Sequence, residues 1–119
     1  MAKNVFPRTD GLPLAKGVAA GGLLFLSGQV PSAGGEVTMA VQAKSALANV
    51  KSALEDCGSS VADVVKVNIF ITDMNDKPAM DQAYRDFFGD DFPSRTTVCV
   101  KDLGKDVLIE IDVIAVAGE

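Results

Sequence analysis

Two stretches of the chain have the periodicity of amphipathic helices. From Met39 to Cys57 apolar residues recur every three or four positions, Thr38 is suited to cap the start, and Gly58 is suited to end the helix. A second apolar stripe follows Pro78, a residue that fits a first helical turn, and ends at Gly89. The members of this stripe are Met80, Ala83, Tyr84, Phe87 and Phe88. The pattern predicts two helices, each with one apolar face.

The first third of the chain has the pattern of a β-hairpin. Two short apolar runs between Ala15 and Pro31 are separated by Gly21-Gly22, which supplies the positive φ of a tight two-residue turn. The second strand is predicted to end at Pro31, because proline cannot donate to a ladder. The polar residues before about Gly11 are predicted to form a loose lead-in.

Three further strands are predicted from β-branched and alternating residues. Val64–Ile71 is rich in valine and isoleucine and predicts a long strand. The members of one face are Val65, Val67, Ile69 and Ile71, and those of the other are Lys66, Asn68 and Phe70. Two last strands are predicted after Phe92-Pro93 and around Leu108–Asp112, with Lys101–Asp106 joining them. In the last strand Glu110 and Asp112 share a face.

The predicted order is ββαβαββ, an α+β fold in one domain of residues 1–119. Two helices can cover one face of the mixed sheet, so the other face is predicted to be covered by another subunit. Hydrophobic residues make up 48% of the chain, which allows a real core. No apolar stretch approaches the roughly 20 residues that cross a bilayer, and the start lacks a signal-peptide pattern. We therefore expect a cytoplasmic protein without membrane contact.

The net charge and the residue types exclude or disfavour several kinds of binding and catalysis. A net charge of −5, with no Lys/Arg cluster, disfavours nucleic-acid binding. Histidine is absent, which removes Ser-His-Asp and Cys-His catalysis and the usual zinc sites. Cys57 and Cys99 are predicted to be small buried or half-buried residues, because a disulfide framework needs more cysteines.

Arg95 and the two acids of the last strand are the candidates for chemistry. The guanidinium of Arg95 matches a carboxylate, either that of a ligand or that of Glu110 or Asp112 across an adjacent strand. The face with Glu110 and Asp112 either is exposed to solvent or borders a cleft where one acid handles protons. Tyr84 lies in a helix stripe that is typical of core, and Ser27 ends a strand, where loops commonly build sites.

Five segments together resemble the Rid family, also called the YjgF family of imine/enamine deaminases. They are Leu26–Pro31, Gln42–Val50, Val65–Met74, Phe92–Thr96 and Ile109–Val116. The resemblance covers nearly the whole chain. It implies a chorismate-mutase-like α+β subunit that forms a homotrimer with its sites in the clefts between subunits.

The resemblance also implies a reaction and the roles of particular residues. Arg95 would bind the carboxylate of a 2-imino acid or its enamine tautomer, such as 2-aminoacrylate or 2-iminobutanoate. Glu110 would place and activate the attacking water, and the products would be a 2-oxo acid and ammonia. Thr97, Ser27 and Tyr84 are the expected ligand-binding neighbours. No metal or cofactor is implied, because imines hydrolyse readily and need only an anchor, a placed water and a proton relay.

Three positions depart from the family pattern. Leu14 stands where many deaminating members carry tyrosine, and Thr97 stands where many carry cysteine. Asp81 replaces a family asparagine, and a carboxylate there would repel an anionic ligand if it faced the cleft. Two other functions stay open: a trimer that binds small carboxylates or acts as a chaperone or regulator, and a ribonuclease or translation inhibitor. The missing histidine and the acidic charge argue against the second of these.

Overall fold

A computed structural model describes residues 2–118, in which six strands form one sheet and two α-helices pack on it. The strands are β1 (Asn4–Phe6), β2 (Gly17–Ala20), β3 (Leu23–Leu26), β4 (Val64–Ile71), β5 (Ser94–Cys99) and β6 (Ile109–Val116). The helices are α1 (Met39–Asp56) and α2 (Lys77–Phe88), and short 3₁₀ turns precede β4 and α2. Within this range neither helix is long and apolar enough to cross a membrane. The predicted α+β class is confirmed.

Both helices begin and end where their capping residues predict. Thr38 accepts a hydrogen bond at its hydroxyl from the amide of Val41 at 3.4 Å, which satisfies one of the free N–H groups of the first turn. Helix α2 carries Pro78 in its first turn and ends at Gly89. The apolar stripes of the two helices face the sheet, and residues such as Ala43, Leu47 and Met80 are buried.

The sheet order is β1-β2-β3-β6-β4-β5, with β4 and β5 parallel and all other pairs antiparallel. The two helices cover one face of this mixed sheet. Alternate residues of β4 and β6 build the core below the helices, namely Val67, Ile69, Ile71, Ile109, Ile111, Val113 and Ala115. The order places β5 at an edge and β4 between β5 and β6, which decides where the candidate residues lie.

Three details of the sequence-based prediction are wrong. The lead-in contains the edge strand β1, which forms only by pairing with β2, for example Val5 with Val18. Val65 is exposed, because a register shift between Val64 and Lys66 rotates it away from the core face. Strand β3 ends at Leu26, and the chain pairs with β6 again only through a single bridge at Gln29.

The loop before β6 is fixed by one buried amide. Gln42 on α1 is only 5% exposed. It donates a hydrogen bond to the carbonyl of Asp106 at 2.6 Å and accepts one from the amide of Leu108 at 2.7 Å. Asp106 has a φ of +60°, in the left-handed region that side chains rarely adopt. The first helix therefore sets the point at which the last strand begins.

The second face of the sheet is not covered by the helices and carries apolar side chains. Leu23, Phe25, Val98 and Val116 are between 37% and 46% exposed. Phe25 lies opposite Val18 on one side and opposite Ile114 on the other, so these three residues form a continuous apolar patch around β3. We call this surface the open face. An exposed apolar patch of this kind marks an interaction surface.

Candidate functional site

Arg95 lies on the helix-covered side of the sheet, at its edge. It is aligned with Val67 of β4, whose side chain is fully buried beneath the helices. Because neighbouring residues in adjacent strands share a face, the guanidinium is directed toward α2. Its Nη1 atom lies 4.0 Å from the sulfur of Met80, and its Cζ atom lies 4.8 Å from the centre of the Tyr84 ring. The guanidinium is thus oriented by a cation–π contact.

An open cavity of about 400 Å³ surrounds this arginine. It is lined by Lys77, Asp81, Tyr84, Arg85, Phe92 and Arg95. The rings of Tyr84 and Phe92 stack with centres 6.0 Å apart and form an aromatic wall. Three of the lining residues are cations and one is an anion, so the cavity is locally positive in a chain with a net charge of −5. Such a site attracts a small anion.

Asp81 lies between two cations. Its Oδ2 atom accepts a hydrogen bond from Lys77 at 2.7 Å, and its Oδ1 atom lies 2.8 Å from Nη2 of Arg95. Among residues 2–118 this Oδ1 atom has no aligned hydrogen-bond donor, so its contact with Arg95 is electrostatic. Burial acts to raise the pKa of Asp81, but Lys77 and Arg95 outweigh it and leave that pKa below its ordinary value.

Two hydroxyl groups near the cavity are buried. Tyr84 Oη and Thr97 Oγ1 have no hydrogen-bond partner within the described part of the chain. Thr97 lies two residues after Arg95 on the same face of β5. Burial raises the pKa of Tyr84, although the nearby Arg95 opposes this, so the phenol keeps its proton at neutral pH. Unpartnered buried hydroxyls cost free energy and commonly mark a place for water or a ligand.

Glu110 lies on the opposite side of the sheet from Arg95. In β6 it is aligned with Phe70 of β4, on the open face. Its carboxyl group lies directly against the backbone of Gly28: a Cβ atom at that position would lie 2.9 Å from Cδ of Glu110 and would overlap a carboxylate oxygen. Glycine at residue 28 therefore permits the approach. One chain cannot bring Arg95 and Glu110 to the same pocket.

The alternative pairing of Arg95 with an acid of the last strand is wrong. Strand β4 separates β5 from β6, and Arg95 lies on the helix-covered face whereas Glu110 and Asp112 lie on the open face. Asp112 instead accepts a hydrogen bond from Asn68 of β4 at 2.8 Å. Arg95 contacts Asp81, which faces the cavity.

The remaining predicted residues are placed as follows. Ser27 is half-buried beside Gly28 and donates its hydroxyl to the carbonyl of Ala15 at 2.6 Å, so it lies near Glu110 and not near Arg95. Cys57 is buried, as predicted, whereas Cys99 is exposed near the end of the edge strand. Leu14, at the position of the family tyrosine, is 43% exposed.

Sequence reasoning missed Lys77, Arg85 and Phe92 as parts of the cavity. The spacing of four residues between Lys77 and Asp81 was a usable signal, since residues four apart lie on one side of a helix. Tyr84 follows Asp81 by three residues and lies on the same side. No local signal pointed to Phe92, which reaches the cavity only because the chain turns back between α2 and β5.

Comparison with known proteins identifies relatives that match most of the chain. Residues 11–117 match the family described as Endoribonuclease L-PSP. A RutC family protein of Pyrococcus horikoshii is 41% identical over 108 residues, covering 87% of this chain and 86% of that protein. A protein of Escherichia coli K12 named 2-iminobutanoate/2-iminopropanoate deaminase is 41% identical over 111 residues, covering 87% of each chain.

Solved structures show the same fold. A YjgF family member of Neisseria meningitidis superposes with a TM-score of 0.88 at 30% identity, covering 100% of this chain and 98% of that one. The YjgF gene product of Escherichia coli superposes with a TM-score of 0.83 at 38% identity, covering 93% and 92% of the two chains.

Proposed function

Since this chain belongs to the endoribonuclease L-PSP family, which includes the YjgF (Rid) proteins, we propose that it hydrolyses 2-imino acids to 2-oxo acids and ammonia. The main support is Arg95, held against the ring of Tyr84 in a cavity with a locally positive lining. A relative named 2-iminobutanoate/2-iminopropanoate deaminase, at 41% identity, supports the same substrate class. Suitable substrates are 2-iminobutanoate and the enamine 2-aminoacrylate.

The proposed enzyme is a homotrimer whose sites lie between subunits. Arg95 and Glu110 occupy opposite faces of one sheet, so a site that uses both must take them from two copies. Arg95 belongs to the edge strand β5, where a second copy can approach it. The apolar open face, with Phe25 44% exposed, supplies the surface that such an association buries.

In the first step of the proposed reaction, Arg95 anchors the substrate carboxylate. A guanidinium can donate two parallel hydrogen bonds to one carboxylate, which fixes both the position and the orientation of the imine carbon. The hydroxyls of Tyr84 and Thr97 are nearby donors without a hydrogen-bond partner among residues 2–118. The aromatic wall of Tyr84 and Phe92 accommodates a short aliphatic side chain.

Hydrolysis then follows at the anchored carbon. Glu110 of the neighbouring copy accepts a proton from a water molecule while the water oxygen adds to C2 of the imine. The C=N double bond becomes a single bond, and the nitrogen takes up a proton from bulk water to give a tetrahedral amino alcohol. Glu110 passes its proton to the nitrogen, the C–N bond breaks, and ammonia leaves as the hydroxyl oxygen forms the 2-oxo group and releases the remaining proton to water.

The test is an assay of 2-oxobutanoate release. Threonine dehydratase generates 2-iminobutanoate, and the purified chain is expected to accelerate formation of the oxo acid. Arg95→Ala should lower kcat/KM by about 100-fold or more, because the anchor is lost. Glu110→Gln should lower kcat by roughly 100-fold or more with little change in KM.

Two matched variants serve as controls. Arg8→Ala removes an arginine that pairs with Asp10 outside the cavity, and Asp112→Asn alters the other acid on the face of Glu110. Both should keep near wild-type rates. A wild-type protein that leaves the background rate unchanged contradicts the proposed deamination. Binding of 2-oxobutanoate without turnover would instead favour a non-catalytic carboxylate-binding trimer.

A further inference from the structure

Lys77 and Arg95 contact the Asp81 carboxylate in different ways. Lys77 donates an aligned hydrogen bond to Oδ2 of Asp81 at 2.7 Å. Arg95 has only the 2.8 Å contact with Oδ1, and within residues 2–118 that oxygen lacks an aligned donor. With Oδ2 hydrogen-bonded to Lys77, the carboxylate meets Arg95 through Oδ1 alone and not in the bidentate geometry that an arginine favours. The guanidinium therefore keeps donors for another carboxylate.

The position of Lys77 is unfavourable for the helix itself. Lys77 is the first residue of α2, where the helix dipole presents partial positive charge and disfavours a cation. A lysine four residues before an aspartate is also the weaker order for a helical ion pair. Helix stability does not explain a lysine at this position. The hydrogen bond from Lys77 to Asp81, the acid that contacts Arg95, gives a reason for the lysine.

We propose that Lys77 is a positioning residue: it holds the Asp81 carboxylate and thereby keeps Arg95 available to the carboxylate of a ligand. This inference rests on the proposed function of Arg95 as the anchor. Without Lys77, the Asp81 carboxylate is free to rotate and pair with Arg95 through both oxygens. The ligand then has to displace an internal carboxylate.

The geometry also explains how the site tolerates an aspartate. With Arg85, the other cation of the lining, the charges of Lys77, Asp81 and Arg95 sum to two positive charges, so the cavity stays positive despite the aspartate. The side chains of Asp81 and Arg95 are 18% and 22% exposed, so solvent screens their contact only in part. Lys77 is 42% exposed, so its influence is expected to be moderate.

A double-mutant cycle tests this role. Binding of 2-oxobutanoate, a stable carboxylate, is measured by calorimetry for wild type, Lys77→Met, Asp81→Asn and the double variant. Lys77→Met is expected to weaken binding about fivefold. In the Asp81→Asn background the same change should matter by less than about twofold, because no carboxylate is left to capture Arg95. Lys77→Arg, which keeps a cation at this position, should bind 2-oxobutanoate with most of the wild-type affinity.

Lys51→Met, an exposed lysine of α1 outside the cavity, controls for net charge and should leave binding unchanged. Thermal unfolding of each variant separates loss of affinity from loss of fold. Equal effects of Lys77→Met in both backgrounds would overturn the inference and leave the anchor role of Arg95 intact. A wild type that binds no 2-oxobutanoate would overturn both. If Lys77 and Asp81 are coupled in binding but the protein does not turn over imines, the inference is supported and only the proposed deamination is contradicted.

Discussion

The contact between Glu110 and Gly28 shows how one backbone position makes room for the proposed catalytic acid. The carboxyl group of Glu110 lies where any side chain at residue 28 would have to go. Glycine thereby allows the carboxylate to rest against the backbone, and the bridge between Gln29 and Ile111 holds the two segments together. Under the proposed function, this placement fixes the acid that handles the proton.

A change at Gly28 should therefore act through Glu110. Gly28→Ala is expected to displace the carboxylate and lower kcat for 2-iminobutanoate about 10- to 100-fold, with a smaller effect on KM. The measurement is a steady-state assay together with thermal unfolding. Gly35→Ala is the control, because a Cβ atom there meets its nearest neighbour at 3.8 Å. Full activity of Gly28→Ala would show that the close approach has no catalytic role.

Single residues were predictable where local spacing decides their position. The alternation of a strand placed Glu110 and Asp112 on one face, as the structure shows. The partner of Arg95 was not predictable, because it depends on which strand lies beside β5. Local sequence carries no information on strand order. Because β4 lies between β5 and β6, both acids are out of reach of Arg95.

At the scale of elements, Gln42 links the first helix to the last strand. Its amide makes hydrogen bonds to the backbone at Asp106 and Leu108, which lie more than sixty residues later in the chain. A buried amide with both ends satisfied stabilises the fold, whereas a buried peptide group left unpaired is costly. The start of β6, and so the register of Glu110, depends on this side chain.

Gln42→Leu is expected to lower the free energy of unfolding by about 2–4 kcal/mol, because two backbone groups lose their partner in a buried site. Urea unfolding measures the change. Gln82→Leu, at an exposed position of α2, should alter the same quantity by less than about 0.5 kcal/mol. Equal effects of the two substitutions would mean that the loop before β6 is held by other contacts.

Elements with strong local signals were predicted closely. Both helices carry caps and an apolar stripe, and the bounds of β4 match the β-branched run Val64–Ile71. Strand β1 was missed, because three residues at an edge form a strand only through their partner. The exposure of Val65 was missed for a related reason: a bulge depends on the pairing of two strands and is not visible in one of them.

At the scale of the whole molecule, the sheet separates two halves of the proposed site. The helix-covered side presents Arg95 in its cavity, and the open face presents Glu110. The open face also carries exposed apolar side chains, among them Phe25 and Val116. Sequence analysis predicted that another subunit covers this face, from the number of helices available. The arrangement of the site gives a second reason for association.

Two inactive variants should therefore restore activity to each other. In a trimer assembled from Arg95→Ala and Glu110→Gln chains, a site that takes Arg95 from one variant and Glu110 from the other is intact. Random mixing of equal amounts is expected to recover about one quarter of wild-type activity. The control is Arg95→Ala mixed with a chain that carries both substitutions, which can form no intact site. Recovery no greater than in this control would exclude sites shared between copies.

The two faces of the sheet also differ in what a substitution affects. Under the proposed function, each chain carries at Glu110 a carboxylate that it never uses itself, and it depends on a neighbour's copy of that residue. A change on the helix-covered side alters the chain's own pocket, whereas a change at Glu110 alters the chemistry of another molecule. Selection on that glutamate therefore acts through the assembly, because a chain with a defective Glu110 inactivates the site of its neighbour.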